Sequence, residues 1–287
     1  MTTTSHDPDI ATTLTRLEER VSAAERVARR AADRGEVENL FSTYMYLHNA
    51  FRDEEIIPLW VAPGTPGIRA QYSNIGVYTT WESVTEYHRG RPTPKGKLIV
   101  HYTTTPAIEV AEDGETAKGV WVMTGLESGL TDPEVAVNVP EYFFAPDEVN
   151  GKKVWAHWVW CKYGVDFLKQ DGVWKIWHFR CFEVARAPFD ENWISFAARN
   201  AEEFDKDLMY FGEDGRPRFM PEPDGPAARL AQRYRPNEAQ ELEPRRPSTR
   251  TSPRTSRTAP VGAARAPAPR WAGSAARAAL RGRRARA

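Results

Sequence analysis

The chain has 287 residues, and its 39 basic and 39 acidic residues give a formal charge of zero. This neutrality is an average, because residues 245–287 contain 12 Arg, no Lys and no acidic residue, which leaves 27 basic against 39 acidic residues before them. An acidic body argues against nucleic acid as the partner of a folded domain, since phosphate binding needs clustered Lys and Arg. With no signal-peptide pattern and no run of about 20 apolar residues, we expect a cytoplasmic protein that does not cross a membrane.

The first part of the chain has helical periodicity. Over residues 14–32, apolar side chains recur at spacings of three and four with Glu and Arg between them, which indicates an amphipathic helix. After Gly35 a second helix is predicted over residues 36–51. Three shorter elements follow, namely a short apolar segment, an extended stretch and a helix with Thr at its start, over residues 54–61, 68–79 and 79–90.

Long strands dominate the second part of the chain. Four segments rich in Val, Ile, Thr, Trp and Tyr are predicted as strands over residues 97–111, 115–129, 152–170 and 173–185. Acidic and Gly-containing turns, EDGE and QDG, join them in pairs. The proline-marked insertion at residues 128–151 is predicted as a long loop over one mouth of the fold. One more helix is predicted within residues 191–211.

These patterns divide the chain into four parts. They are an N-terminal helical extension, an α+β domain, a C-terminal extension and a tail, over residues 1–35, 36–200, 201–244 and 245–287. The tail consists mainly of Ala, Pro, Arg, Ser and Thr, cannot bury a core and is predicted to be disordered. Two interpretations of it stay open: a functional basic tail that binds polyanions, or out-of-frame translation of a GC-rich coding sequence.

The order of these elements resembles the nuclear transport factor two-like superfamily, whose fold is a cone-shaped α+β barrel. The segment HYTTTPAIEVAEDGETAKGVWVM resembles its SnoaL-like branch, in which a strand-borne His precedes a Pro and a short acidic turn. KYGVDFLKQDGVWKIWHFR is similar to the last hairpin of that branch. The resemblance covers roughly residues 36–184 and implies N-terminal helices packed on a strongly curved mixed or antiparallel sheet.

The resemblance also implies candidate catalytic residues. The superfamily includes dehydratases, isomerases, polyketide cyclases and C–C lyases, but also non-catalytic dioxygenase β-subunits and transport factors, so fold alone does not decide function. Catalytic members usually take a Tyr and an Asp from the first long helix and a His from a strand. Here the Tyr matches Tyr44 and the His matches His101, whereas the Asp position holds Asn49, with His48 and Asp53 nearby. Since Asn cannot act as a general base, His48 or Asp53 could replace the missing Asp.

His101 is the first choice for the catalytic base. Alternation along its strand places His101 on one face with Thr103 and Thr105, and the resemblance turns that face inward. Imidazole titrates near neutrality, so a His in a dry pocket can take a proton from a substrate and return it elsewhere. The alternative is a structural core His. The same alternation predicts one face for Trp174, Ile176, His178, Arg180 and Phe182.

That face looks like a pocket wall, in which His178 could act as a base and Arg180 could hold a substrate oxyanion. We expect further substrate contacts from the residues Arg69, Tyr72, Trp121, Tyr163 and Trp174. No nucleotide-binding, nucleophile-elbow or zinc-protease motif occurs, and no local spacing supports a metal site, so neither metal nor cofactor is expected. Cys161 and Cys181 are predicted to be reduced structural thiols.

The leading hypothesis is a cofactor-independent lyase, either a dehydratase or a C–C lyase that releases formaldehyde, or an isomerase, with a small aromatic substrate and His-centred acid–base catalysis. The alternative is a non-catalytic binding or assembly subunit. An empty cavity with His101 on its wall favours the enzyme, and an interior filled by side chains favours the subunit. We also expect a homo-oligomer, a dimer or trimer, because the first helix and the strand at residues 155–160 carry more apolar surface than one cone can bury.

Overall fold

The computed structural model describes residues 8–73, 75–89, 95–137, 141–200, 209–211, 217–219, 221–229, 232–240 and 244. The predicted disordered tail lies outside the described residues. The chain opens with one helix, α1, over Pro8–Asn49, and a 3-10 helix follows over Asp53–Leu59. The two helices predicted on either side of Gly35 are therefore one, and that prediction was wrong. The cost of about 1 kcal/mol for Gly inside a helix is offset in part, because Arg34 and Glu38 form an exposed ion pair across it at 2.9 Å.

The remaining elements follow the predicted order. They are β1 (Arg69–Tyr72), β2 (Val77–Tyr78), α2 (Trp81–Glu86), β3 (Leu98–Val110), β4 (Thr116–Thr131), α3 (Pro133–Ala136), a 3-10 turn (Glu141–Phe143), β5 (Glu148–Val149), β6 (Lys152–Gln170), β7 (Val173–Pro188), α4 (Trp193–Asn200), β8 (Met209–Phe211) and β9 (Pro217–Phe219). The four long strand predictions are confirmed. The segment over residues 128–151 is not a plain loop, because β4 continues to Thr131 and three short elements follow it.

The main sheet is mixed and has the order β2-β1-β7-β6-β4-β3, with β5 on one end of β6. Only the pairing of β1 with β7 is parallel among the described strand pairs of this sheet. The β6–β7 hairpin turns at Asp171 and Gly172, whose φ angles of 51° and 78° are those of a type I′ turn. The expected fold class, helices packed on a strongly curved mixed sheet, is confirmed.

The C-terminal half of α1 packs against the inner face of the sheet. Phe41 is fully buried, and its ring centroid lies 4.2 Å from that of Trp121 and 5.5 Å from that of Tyr163. Tyr44, one turn further along, lies 5.1 Å from the ring of Phe179 on β7. This contact fixes which turns of α1 face the interior, and it places the last turn of the helix beside β3.

Residues of the predicted C-terminal extension contact the α+β domain. The backbone of Gly225 accepts a hydrogen bond from Val77 at 2.9 Å. Further along, Tyr234 donates its backbone N–H to the carbonyl of Val184 at 2.6 Å, and Arg233 forms an ion pair with Glu183 at 3.3 Å. Residues 221–229 and 232–240 therefore complete one side of the domain, and Arg233 reaches the cavity residue Glu183.

Candidate functional site

A cavity of about 110 Å³ lies between the last turns of α1 and the inner face of the sheet. Its wall combines aromatic rings with ionisable side chains, as in most small-molecule sites. The lining residues are Tyr44, His48, Tyr72, Ser73, Tyr87, Lys97, Ile99, His101, Met123, Glu127, Val159, Cys161, Tyr163, Phe179, Cys181, Glu183 and Arg186. The interior is thus not filled by side chains, and His101 lies on its wall.

His101 is fixed by the end of α1. The Asn49 side chain accepts a hydrogen bond from the His101 backbone N–H at 3.0 Å and donates one to the His101 carbonyl at 3.1 Å. The oxygen and the NH2 group of this amide are both hydrogen-bonded to the backbone of β3. Asn49 therefore positions His101 and does not itself face the cavity. The prediction of Asn49 as a catalytic residue is corrected to this positioning role.

A chain of ionic groups runs from His101 into the sheet. Its Nε2 lies 3.1 Å from Glu127 Oε1, and the other oxygen of Glu127 accepts from Arg186 Nη1 at 3.1 Å. A carboxylate only accepts hydrogen bonds, so this contact assigns a proton to Nε2, and in the neutral ring Nδ1 is then the acceptor nitrogen. Nδ1 is buried and has no hydrogen-bond partner among the described residues. An acceptor of this kind on a cavity wall is a place where a ligand proton can bind.

The carboxylates behind His101 are held in their charged form. Burial alone would raise the pKa of Glu127, but the charge of Arg186 and the hydrogen bond from His101 outweigh it and hold that pKa well below its usual range. The pKa of Glu183 is likewise lowered, because Arg186 and Arg233 overcome the effect of burial. Two carboxylates therefore share the Arg186 guanidinium, whose own pKa is raised by them despite its burial.

His157 supports Arg186 from the far side. Its Nδ1 accepts from Arg186 Nη1 at 3.4 Å, while its Nε2–H donates to the carbonyl of Phe143 at 2.8 Å. Burial and the neighbouring Arg186 charge lower the pKa of His157 to about 4. The imidazole is neutral at physiological pH, and it accepts a hydrogen bond from the guanidinium instead of repelling it.

A second imidazole faces the same cavity. His48 lies with its ring centroid 5.5 Å from that of His101, and its Nδ1 is 3.3 Å from Asp53 Oδ1. Asp53 is itself buried and also lies 3.5 Å from Nδ1 of His88, whose Nε2 accepts from Trp60 at 3.3 Å. Asp53 does not line the cavity but orients His48. Two His–carboxylate pairs thus meet across one cavity.

Aromatic rings and thiols form the remaining wall. Tyr72 and Tyr87 stack with centroids 3.6 Å apart, and Tyr163 lies deep on β6. Burial raises the pKa of Tyr163 well above its usual range, so its hydroxyl keeps its proton. The Cys161 and Cys181 thiols share a hydrogen bond on neighbouring strands, and both cysteines are free. Cys161 has its pKa raised by that bond and by burial.

The prediction of which β7 side chains face the pocket was wrong for the second half of the strand. The register with β6 shifts between Asp166 and Phe167, so that Trp177 has no partner on β6 and forms a β-bulge. One inserted residue reverses the side-chain alternation beyond it. His178 therefore lies outside the cavity, between Asp166 Oδ2 at 2.9 Å and the carbonyl of Gly67 at 2.8 Å. Arg180 likewise does not line the cavity, and neither does Phe182.

Three other predicted substrate contacts lie elsewhere. Trp121 packs on Phe41 in the core, and Trp174 donates its indole N–H to Asp33 at 3.0 Å, so neither lines the cavity. Arg69 is exposed at the start of β1. The cavity does bring together five of the predicted residues, Tyr44, His48, His101, Tyr72 and Tyr163.

Four charged cavity residues were missed in the sequence, namely Lys97, Glu127, Glu183 and Arg186. Glu127 could have been found, because alternation along β4 from Trp121 places it on the same inner face. Glu183 could not, because the bulge at Trp177 reverses the alternation before it. Arg186 lies just beyond the predicted strand over residues 173–185, and the bulges at Trp177 and Val184 cancel, so it points to the same side as Trp174. In the described ranges, no group of three His, Cys, Asp or Glu side chains could hold a metal ion. No helix in the part of the chain that the structure describes is long and apolar enough to span a membrane.

Residues 29–180 match the family model of the SnoaL-like domain, which is more than half of the 287 residues. The chain therefore belongs to the SnoaL-like family, and the resemblance to this branch of the nuclear transport factor two-like superfamily is confirmed. A search of curated proteins returns no match.

Several solved structures are similar to this one. A candidate scytalone dehydratase from Novosphingobium aromaticivorans is 14% identical, with 58% of this chain and 94% of that chain covered and a TM-score of 0.42. The hexachlorocyclohexane dehydrochlorinase LinA-type3 from Novosphingobium barchaimii is 17% identical, with 58% and 97% covered and a TM-score of 0.40. A protein of unknown function from Pseudomonas putida is 16% identical, with 62% and 94% covered and a TM-score of 0.37.

Proposed function

We propose that this protein is a lyase that eliminates water or another small leaving group from a small organic substrate, using His101 as the base and no cofactor. The observation that supports this most is the unpartnered Nδ1 of His101 beside an empty cavity, with Nε2 held by Glu127. A carboxylate behind the imidazole stabilises the imidazolium that forms when Nδ1 takes a proton.

The reaction follows from the two imidazoles. His101 Nδ1 takes a proton from a substrate carbon, and the electron pair of that C–H bond becomes the new double bond. The leaving group departs from the adjacent carbon with its own electron pair. His48, oriented by Asp53, enters the step as the imidazolium, gives a proton to the leaving group and ends neutral, while His101 ends as the imidazolium. Water leaves if the group is a hydroxyl, so atoms and charge balance without an external oxidant or reductant.

The walls favour a planar substrate of low charge. The rings of Tyr44, Tyr72, Tyr87, Tyr163 and Phe179 provide the apolar contact area. Three of the ionic groups are already paired with one another, since Glu127 and Glu183 share Arg186. Binding an anion or a cation there would break those pairs, which is costly in a buried site. A small neutral aromatic alcohol suits this cavity better than a charged metabolite.

The test is an activity screen with a matched histidine control. The purified protein is incubated with aromatic alcohols, diaryl diols and enones, and mass spectrometry detects loss of water or of formaldehyde. We expect turnover of one class, with His101→Gln reduced about 100- to 10,000-fold. His178→Gln is the control, since His178 is also paired with a carboxylate but lies outside the cavity. Equal activity of both variants would contradict the proposal, and a product of unchanged mass would indicate an isomerase instead.

A further inference from the structure

The N-terminal half of α1 carries an apolar stripe that the described part of the chain leaves exposed. Residues 9–32 are all exposed, a helical length of about 36 Å at 1.5 Å per residue. Within it, Ile10, Leu14, Leu17 and Val21 are 62%, 56%, 45% and 56% exposed. Single exposed apolar side chains are common, but a contiguous row of them marks a binding surface.

The spacing of this stripe is that of a coiled coil. Alternating steps of four and three connect the residues Ile10, Leu14, Leu17, Val21, Ala24, Ala28 and Ala31. These are the a and d positions of three successive heptads, with a at Leu14, Val21 and Ala28. We call these seven residues the heptad stripe. A repeat of 3.5 residues is the period at which two helices keep one seam in contact.

The stripe cannot be buried by the protein's own sheet. The residues of α1 that face the domain, among them Val37, Phe41 and Tyr44, are buried. At about 100° per residue, their centre lies roughly 170° around the helix from the centre of the heptad stripe. Since one face of α1 is fixed on the sheet, the heptad stripe points away from it and requires a separate partner.

The charges beside the stripe identify that partner. Glu18 and Glu25 occupy e positions, and Arg20 and Arg34 occupy g positions. In a parallel pair of helices the g residue of one heptad meets the e residue of the partner's next heptad, which places Arg20 opposite Glu25 of a second copy. An antiparallel pair would instead place g against g and e against e, and so like charges together. The pattern is complementary to itself in the parallel arrangement.

We infer that the N-terminal half of α1 forms a parallel coiled coil with the same helix of a second copy of this chain. The Ala layers at positions 24, 28 and 31 let the two helices approach closely where they enter the domains. The pairing buries Leu14, Leu17 and Val21 and adds two Arg20–Glu25 contacts per dimer. It does not depend on the proposed lyase activity.

The first test is the mass of the full chain by light scattering. We expect a dimer, and we expect Leu17→Glu to lower the mass because it places two carboxylates in the seam. Ala23→Glu adds the same charge at an outward c position and leaves the mass unchanged. Circular dichroism of both variants checks that the domain is folded, as neither residue touches the core. A monomeric parent chain, or a Leu17→Glu chain with the parent's mass, would overturn the inference.

The second test determines direction. In a parallel, in-register pair, Leu17→Cys places two thiols side by side, so mild oxidation yields a disulfide-linked dimer on a non-reducing gel. Ala23→Cys controls for reaction of the native cysteines. Arg20→Glu and Glu25→Arg should each weaken association, and mixing the two variants should restore it, since both contacts are then complementary. A Leu17→Cys chain that cross-links no better than Ala23→Cys rules out the parallel pair.

Discussion

Acid should destabilise this protein through one histidine, His157. Its imidazole is 2% exposed, and its pKa of about 4 in the folded protein compares with about 6.5 for an ordinary His. A pKa lowered by folding means that the unfolded chain binds the proton more tightly. Stability is therefore complete above about pH 6.5 and is lost as the pH falls toward 4.

The size of the effect follows from the two pKa values. At pH 5 the unfolded His is almost fully protonated, whereas the folded His157 is almost fully neutral. The linkage relation then gives a loss of about 2 kcal/mol in the free energy of unfolding between pH 7 and pH 5. The carboxylates Glu127 and Glu183 do not contribute in this range, since their lowered pKa values matter only below the ordinary value of about 4.3.

Urea denaturation of the parent chain and of His157→Gln at the two pH values measures this loss. Gln keeps an N–H for the Phe143 carbonyl but does not titrate, so the variant should lack the extra loss of about 2 kcal/mol. The difference between the two chains removes the contribution of other groups. If both lose the same free energy between pH 7 and pH 5, His157 is not the buried neutral group described above.

Three further substitutions separate positioning, packing and catalysis. Asn49→Ala removes both hydrogen bonds to the His101 backbone and should cost about 1–3 kcal/mol in urea denaturation, with a lower kcat. Phe41→Ala should cost about 3–5 kcal/mol, because the ring is fully buried, whereas Tyr46→Ala on the exposed face of α1 should stay within about 0.5 kcal/mol. Arg180→Ala should leave kcat/KM within a few-fold of the parent value, and a large loss would place Arg180 in the site after all.

The sequence was sufficient for the fold because its signals are local and repeated. Alternation over long strands, a type I′ turn at Asp171 and Gly172 and helical periodicity each recur over many residues, so one irregularity does not hide them. Gly35 shows that a glycine alone does not predict the end of a helix, because α1 continues through it. A residue that breaks helices on average is tolerated where its neighbours support the helix.

The residues of the candidate site were harder to predict from the sequence than the fold was. His101 and Tyr163 lie where unbroken alternation turns them inward, and both were found. His178 was predicted on the wrong face of β7, because a bulge at Trp177 reverses the alternation of inward and outward side chains. No residue type in that strand indicates a bulge. Arg186 was missed for another reason: a second bulge at Val184 restores the alternation, but the predicted strand ended at residue 185. Which side chains of a strand face the site depends on the alternation of inward and outward positions, and a single inserted residue reverses that alternation. The presence of the strand does not depend on it.

The central claim is that His101, on the cavity wall, keeps an unpartnered Nδ1 as proton acceptor while Nε2 donates to Glu127. Nitrogen-15 NMR of the histidine side chains in the ligand-free protein tests it most directly, with His101→Gln to assign the signals. The proposal requires a His101 ring whose only proton lies on Nε2, and we expect Glu127→Gln to disturb that tautomer. A proton found on Nδ1 at neutral pH, in either the neutral or the charged ring, would contradict the role of His101 as the base.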